Sequence, residues 1–368
     1  MRKKQITICV TCVGGFLIYD FISSLRSQDD FDCKIIGIDQ SYSSKGNIIC
    51  DKFYKVSNQK NERKYINDIL KIYKKEKFDI FFPLSDYEAL LILKYKKFFS
   101  SKKVNFKSGS DQFEISSLFY DKKKFLTFCN KKKIPTGECI FFNSYKKLSL
   151  FLKNKKKKRF ILKALTGSGT RNVFLINQKS TKQTKILESR DCYELNLKDL
   201  KKYLNFKKYE YVLMPYYNGE IYDIDCIALN GVIKEFAIRK RQIKNRFLYY
   251  STGHLTIKNN KIRSLIQKIV KETNLTGICD FDVIQYKKRY ILLEASCRFS
   301  GSVGVSTLSG VNFPAQMVRY LMNLKPKKYK LTINKSFRSF LMLQEIKSNK
   351  SRIQLDDYIP HYSKQLSY

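Results

Sequence analysis

Asp280-Phe-Asp282-Val-Ile-Gln-Tyr-Lys-Lys-Arg-Tyr290-Ile-Leu-Leu-Glu294-Ala-Ser296-Cys-Arg298 reads as two strands, 280–285 and 290–294, joined by a short turn at Lys287-Lys288. Side chains alternate across a strand, so an antiparallel hairpin of this length carries the carboxylates of Asp282 and Glu294 to the same end. Two like charges so placed repel, and a divalent cation between them relieves the repulsion. Oxygen donors in a chain whose only histidines are His254 and His361 point to magnesium rather than zinc. Arg298, four residues past Glu294, can stabilise negative charge on a transferring phosphoryl group. Taken alone, a surface ion-pair cluster at a hairpin end explains the same residues equally well.

Upstream, 160–164 is an apolar strand with Lys163 inside it. It runs into Thr166-Gly167-Ser168-Gly169-Thr170, and a partner strand follows at 173–176. Backbone N–H groups of such a loop can point into one concavity and hold phosphate oxygens. The loop lacks the P-loop pattern, and a glycine hairpin turn is the commoner explanation of such a run. Lys163 adds weight to the phosphate reading, because an ammonium embedded in an apolar strand needs an anionic partner. Further strands fit 211–214, 223–229 and 232–239, and amphipathic helices fit 121–132, 144–153 and 262–273. A last strand at 337–343 precedes a polar tail.

The first hundred residues alternate strand and helix: strand 6–13, helix 16–25, strand 34–38 ending at Asp39, helix 65–77, strand 79–82 stopped by Pro83, helix 88–97. This rhythm predicts an open parallel sheet with its ligand crevice at the carboxyl ends of the strands. Gly14-Gly15, Asp39 and Ser85-Asp86 fall at those ends. Strand termination and helix capping account for the same residues as well as ligand binding does.

The 368 residues suit two or three packed units, and 43% hydrophobic with 14% aromatic content supplies real cores and excludes a disordered chain. The 72 basic and 32 acidic residues leave a net charge of +40. The lysines are spread from Lys3 to Lys364 without a nucleic-acid motif, so they read as a solvated surface and no specific nucleic-acid partner is expected. An apolar run at 6–19 follows Met1-Arg-Lys-Lys4. It is split by Gly14-Gly15, followed by Asp20 and lacks a small-x-small cleavage site, so strand, turn and helix describe it better than an export signal. The uncharged stretch 299–318 is too rich in Gly, Ser and Pro for a membrane span. Ten cysteines, several in strand-like apolar contexts, fit buried thiols and a cytoplasmic location.

The order of these features resembles the ATP-grasp superfamily over roughly residues 6–325, most closely the branch similar to the carbamoyl-phosphate synthase large chain. Asp121-Lys122, Phe-Ile-Leu-Lys163 with its glycine loop, Tyr216-Tyr-Asn-Gly-Glu220-Ile-Tyr-Asp-Ile-Asp225, Asp282, and Leu-Leu-Glu294-Ala-Ser-Cys-Arg298-Phe-Ser-Gly301 carry it. The resemblance implies a mixed α/β and α+β chain: a Rossmann-like pre-ATP-grasp domain at 1–103, an ATP-grasp N-terminal lobe with the glycine loop at 104–208, a C-terminal lobe with the metal site at 209–345, and a polar tail at 346–368. It implies ATP with Mg2+, or Mn2+ in its place. Lys122 and Lys163 would contact nucleotide phosphates and Thr166, Gly167, Ser168, Gly169 and Thr170 would close over them. Met214 to Tyr216 would form the hinge against adenine, and Glu220, or Ile221 in the alternative register, would meet the ribose. Asp282, Glu294 and Ser296 would hold the metal, Arg298 the transferring phosphate, and Arg239 or Arg241 phosphate or substrate.

The implied activity is ligation of a small-molecule carboxylate to an amine or another nucleophile through an acyl phosphate, with release of ADP. Acceptor specificity is expected in 300–312 and around Gly14, Asp39 and Ser85, and a homodimer is allowed. Two departures matter. Ser296 stands where the family commonly has an asparagine ligand, and Pro215 where it often has an acidic hinge residue. They leave an alternative open: an ATP-binding regulatory protein with impaired turnover.

Overall fold

The computed structural model describes residues 3–15, 18–155, 159–167, 171–177, 184–187, 192–242 and 253–337. The opening segment forms a sheet of β1 (Lys4–Val10), β2 (Phe31–Asp39), β3 (Lys52–Lys55), β4 (Ile80–Phe82) and β5 (Lys107–Ser108) in the order β3-β2-β1-β4-β5, parallel throughout. Its strands are apolar on both faces because both are covered. Ile6, Ile8 and Val10 pack with the helix Ile18–Arg26, and Cys9, Ile36 and Ile38 with the helix Glu62–Glu76.

Strand β1 stops at Val10 rather than the expected residue 13. The Thr11 hydroxyl accepts from Leu84 N at 3.0 Å and donates to Glu88 at 2.7 Å, and Cys12 turns the chain with φ of 53°. The expected helix 88–97 divides into Asp86–Lys94 and Lys96–Ser101, with Ser85 accepting from Glu88 N as its N-cap.

The second sheet contains β6 (Ile140–Phe142), β7 (Arg159–Ala164), β8 (Val173–Asn177), β9 (Thr184–Leu187), β10 (Cys192–Leu195) and β11 (Tyr211–Pro215), ordered β6-β11-β7-β8-β10-β9. Tyr211 and Leu213 join Phe160 and Leu162 in its core. Strand β11 thus completes this sheet, past the division expected at 208/209.

The third sheet is antiparallel: β12 (Glu220–Leu229), β13 (Val232–Arg241), β14 (His254–Ile257), β15 (Gly277–Tyr286), β16 (Arg289–Ser296) and β17 (Ser336–Phe337), ordered β16-β15-β12-β13-β14-β17. Ile262, Ile266 and Ile269 of the helix Asn260–Glu272 cover one face, together with Phe119, Phe125 and Leu126. Those three lie on the helices Phe113–Tyr120 and Lys122–Lys131, so this part of the expected second unit packs on the third sheet. Of the strand expected at 337–343, residues past 337 lie outside the described residues, as does the tail 346–368.

The uncharged stretch 299–318 earns its apolar character by burial. Val303, Phe313 and Met317, on the helices Val303–Leu308 and Phe313–Leu321, sit in one core with Phe21 and Ile22 of the first domain and Ile227 and Ala237 of the third sheet. Among the described residues no helix is long and apolar enough to cross a membrane.

Where the chain leaves the first domain, Ile278 N donates to the Gly109 carbonyl at 2.9 Å. Gly277 holds φ of +124°, and a β-carbon there would lie 2.3 Å from that carbonyl oxygen. Gly277→Ala is expected to destabilise the fold by about 3 kcal/mol, from left-handed strain and a backbone clash together. Denaturant unfolding of the variant beside the parent protein checks this.

Candidate active site

A cleft of about 950 Å³, open solvent included, lies between the second and third sheets. Ile161, Met214, Ile221, Ile284 and Leu293 form its apolar walls, and Lys122, Lys163, Arg171, Arg241, Asp282 and Glu294 supply its charge. Strand alternation explains the sorting. On β7, Phe160 and Leu162 turn into the core, which leaves Ile161 and Lys163 on the cleft side. Lys122 is placed by a helix start: Asp121 accepts from Lys123 N at 2.9 Å and Lys124 N at 3.1 Å, so the helix begins where the cleft does.

Glu294 gathers both lysines. Lys122 Nζ lies 3.0 Å from Oε1 and Lys163 Nζ 3.4 Å from Oε2, and Lys122 also donates to the Gly167 carbonyl at 2.7 Å. Burial would raise the Glu294 carboxyl, but the two ammonium groups outweigh it and hold the group well below the usual carboxylate range. Asp282 is its direct cross-strand partner, as the hairpin reading predicts. Burial pushes the Asp282 carboxyl well up, and Asp223, Asp280 and Glu294 push it further against the pull of Arg241, 3.3 Å away.

This arrangement fits a hard divalent cation. Two adjacent carboxylates face the cleft, and Asp282 lacks enough positive charge beside it to remain readily ionised. Ser296, singled out from the sequence as a third ligand, lies opposite Asp280 on the neighbouring strand and does not line the cleft. Among the described residues no three His, Cys, Asp or Glu side chains form a metal site by themselves. A cation at Asp282 and Glu294 would therefore complete its shell with water and ligand oxygens, as magnesium does.

At the hinge, Met214, Pro215 and Tyr216 all line the cleft, and the Arg159 guanidinium lies 4.3 Å from the Tyr216 ring centre. Ile221, not Glu220, faces the cleft. Glu220 points to the other side of β12, where it accepts from the Tyr222 hydroxyl at 2.7 Å and pairs with Lys240. Thr166 is exposed and Gly167 lines the cleft with φ of +109°; Ser168, Gly169 and Thr170 lie outside the described residues.

Of the three arginines singled out from the sequence, only Arg241 lines the cleft. Its Nε donates to Asp223 at 2.9 Å and its Nη2 reaches both Asp223 and Asp282. Arg239 shares that face of β13 but is covered by the segment leading into the helix Val303–Leu308. It is wholly buried and bonds to Asp225 at 2.9 Å, Ser300 Oγ at 2.9 Å and the Ser302 carbonyl at 2.8 Å. Arg298 lies beyond the cleft, donating to Asp280 at 2.6 Å and to the Phe299 carbonyl at 3.0 Å, with Asp86 of the first domain 3.4 Å from its Nε.

Asp223 and His254 were not singled out in the sequence. His254 Nε2 lies 3.0 Å from Asp223 Oδ2. Burial would raise the Asp223 carboxyl, yet Arg241 and His254 hold it well below the usual range. A charged residue within the apolar strand 223–229 was the available signal, together with the scarcity of histidine.

Residues 207–342 match the family model described as ATP-grasp in the biosynthetic pathway with Ter operon. No curated protein matches the chain in sequence. Among solved structures, N5-carboxyaminoimidazole synthetase from Staphylococcus aureus complexed with ADP is similar with TM-score 0.65 at 14% identity, over 90% of this chain and 81% of that one. L-amino acid ligase from Bacillus licheniformis gives 0.63 at 13%, over 89% and 76%. Biotin carboxylase from Campylobacter jejuni, in a β,γ-ATP complex, gives 0.62 at 16%, over 88% and 73%. The chain has the ATP-grasp fold.

A carboxyl lowered on folding leaves the unfolded chain holding more protons, so its contribution to stability is present above the ordinary value of 4.5 and is lost as pH falls below it. Glu294→Gln should flatten the fall of stability with acid in that window. Denaturant unfolding of both proteins between pH 6 and about pH 3 measures it.

Proposed function

We propose that this protein is an ATP- and magnesium-dependent ligase that joins a small-molecule carboxylate to an amine or another nucleophile through an acyl phosphate. The observation that carries the reading is the convergence of Lys122 and Lys163 on Glu294, across the hairpin from Asp282, at the charged end of an apolar slot. The fold likeness to a synthetase bound to ADP, a carboxylase in an ATP complex and an amino acid ligase supports it. Kinship with the carbamoyl-phosphate synthase branch belongs to the same proposal.

The adenine enters the slot between Ile161, Met214, Ile221 and Leu293, with Tyr216 at its edge. Lys122 and Lys163 exchange Glu294 for phosphate oxygens, beside Gly167 at the cleft wall. Asp282 and Glu294 would hold magnesium, which would supply charge neutralisation at the phosphates. Arg241 meets the charge that develops during transfer. An oxygen of the substrate carboxylate attacks the γ-phosphorus and the bond to the β-phosphate oxygen breaks, giving ADP and an acyl phosphate. The amine then attacks the acyl carbon, phosphate leaves and the amine sheds a proton. No serine, cysteine or histidine nucleophile is needed; the cations and carboxylates position the reactants and neutralise charge.

Incubation with ATP, magnesium and pooled amino acids, amines and small carboxylic acids should release ADP in a manner dependent on one pool. AMP instead of ADP would overturn the acyl phosphate, and nucleotide binding with no turnover on any pool would favour the regulatory alternative raised by Ser296 and Pro215. Lys163→Ala is expected to lower kcat/KM roughly 100-fold or more, through loss of a buried phosphate-directed charge.

A further inference from the structure

Asp86 opens the helix Asp86–Lys94 at the carboxyl end of β4. It is 8% exposed, and neither of its carboxylate oxygens accepts a hydrogen bond. Arg298 Nε stands 3.4 Å from Oδ1, while Nη1 of the same guanidinium is committed to Asp280 Oδ2 and the Phe299 carbonyl. The remaining oxygen of Asp280, Oδ1, is also buried without a donor. One guanidinium therefore serves two buried carboxylates, and three acceptor oxygens around it are unfilled.

The other cations on this side of the sheet are already engaged. Arg239 serves Asp225, Arg241 serves Asp223 and Asp282, and Lys122 and Lys163 serve Glu294. The helix terminus eases the charge on Asp86 but donates no hydrogen bond to it. Buried carboxyl oxygens without donors are costly, and with one guanidinium shared between two carboxyl groups the site is short of positive charge and of bonded N–H groups together. A primary ammonium supplies both, with three donors around a compact charge.

Asp280 and Asp282 share a face of β15 two residues apart, which places these oxygens roughly 7 Å along the sheet from the Asp282–Glu294 pair. We propose that Asp86 and Asp280 bind a substrate ammonium group, and that the carboxylate activated in the cleft belongs to an amino acid. This inference rests on the ligase reading above. An ammonium held between two carboxylates stays protonated, so it cannot be the attacking nucleophile. It is the handle by which the activated substrate is recognised, and the amine that captures the acyl phosphate comes from a second molecule.

The test is calorimetric titration of the full chain, with magnesium and a non-hydrolysable ATP analogue present, by a set of L-amino acids and the 2-hydroxy acids of the same side chains. At least one amino acid should bind roughly tenfold or more tightly than its hydroxy acid. Asp86→Asn should weaken that amino acid roughly 10- to 100-fold, the hydroxy acid less than about threefold, and the ATP analogue not at all. Equal binding of the two acid classes, no binding by any amino acid of the set, or an Asp86→Asn protein that keeps its amino-acid affinity overturns the proposal. Should the variant not fold, the comparison on the parent protein decides alone. The ligase reading fails separately, by absence of ADP release with every carboxylate. ADP release with equal efficiency from hydroxy acids and amino acids would sink only the ammonium pocket.

Discussion

Five carboxylates, those of Asp223, Asp225, Asp280, Asp282 and Glu294, crowd three neighbouring strands of the third sheet, and burying so many like groups together requires cations beside them. Arg239 and Arg241 come from the adjoining strand β13, and Arg298 from the segment after β16. Lys122 and Lys163 come from a separate helix and from the second sheet. The chain must therefore close the second sheet and the helix Lys122–Lys131 against this face for its charges to be matched. The helices Val303–Leu308 and Phe313–Leu321 fill the space between the first domain and the third sheet, and the α/β unit contributes Asp86 to the same network.

That dependence explains what could be read in the amino-acid order and what could not. Hairpin 280–294 was legible because alternation and turn position are local, and its pairing of Asp282 with Glu294 follows from them. Lys163 was legible because a charge within an apolar strand advertises its need for an anion. The partners of Arg239 and Arg298 were not, since they depend on which later segment covers which part of the sheet. Arg239 and Arg241 are equivalent by periodicity on β13, and only the arrival of Ser300 and Ser302 over the former separates a buried structural arginine from one that faces the cleft. Resemblance placed Arg298 on the transferring phosphate and Arg239 or Arg241 on phosphate or substrate for the same reason: spacing along a strand fixes a face, not what lies above it.

The register of β12 makes the same point in the opposite direction. Glu220 and Ile221 were equivalent choices for the ribose until alternation was anchored by Asp223, whose side chain belongs to the charged face. Ile221, two residues away, then faces the cleft and Glu220 faces Tyr222. The unit boundaries shifted for a related cause. Strand β11 is separated from β7 by nearly fifty residues of chain yet lies beside it in the sheet, and the helix bearing Lys122 packs on the third sheet although it precedes the second in sequence.

The pairing of Glu294 with two lysines has a consequence for how ligands would enter. In the form described, both ammonium groups are paired with the one carboxylate of Glu294, so neither lysine turns to phosphate until that pairing is exchanged. On the proposed reading, an incoming nucleotide takes Lys122 and Lys163 away from Glu294, and the carboxylate so released stands beside Asp282 with no counter-charge. A divalent cation is then required at the moment the phosphates arrive. If that proposal holds, nucleotide and metal favour each other's binding, by a coupling that runs through one carboxylate and is reciprocal by thermodynamic necessity.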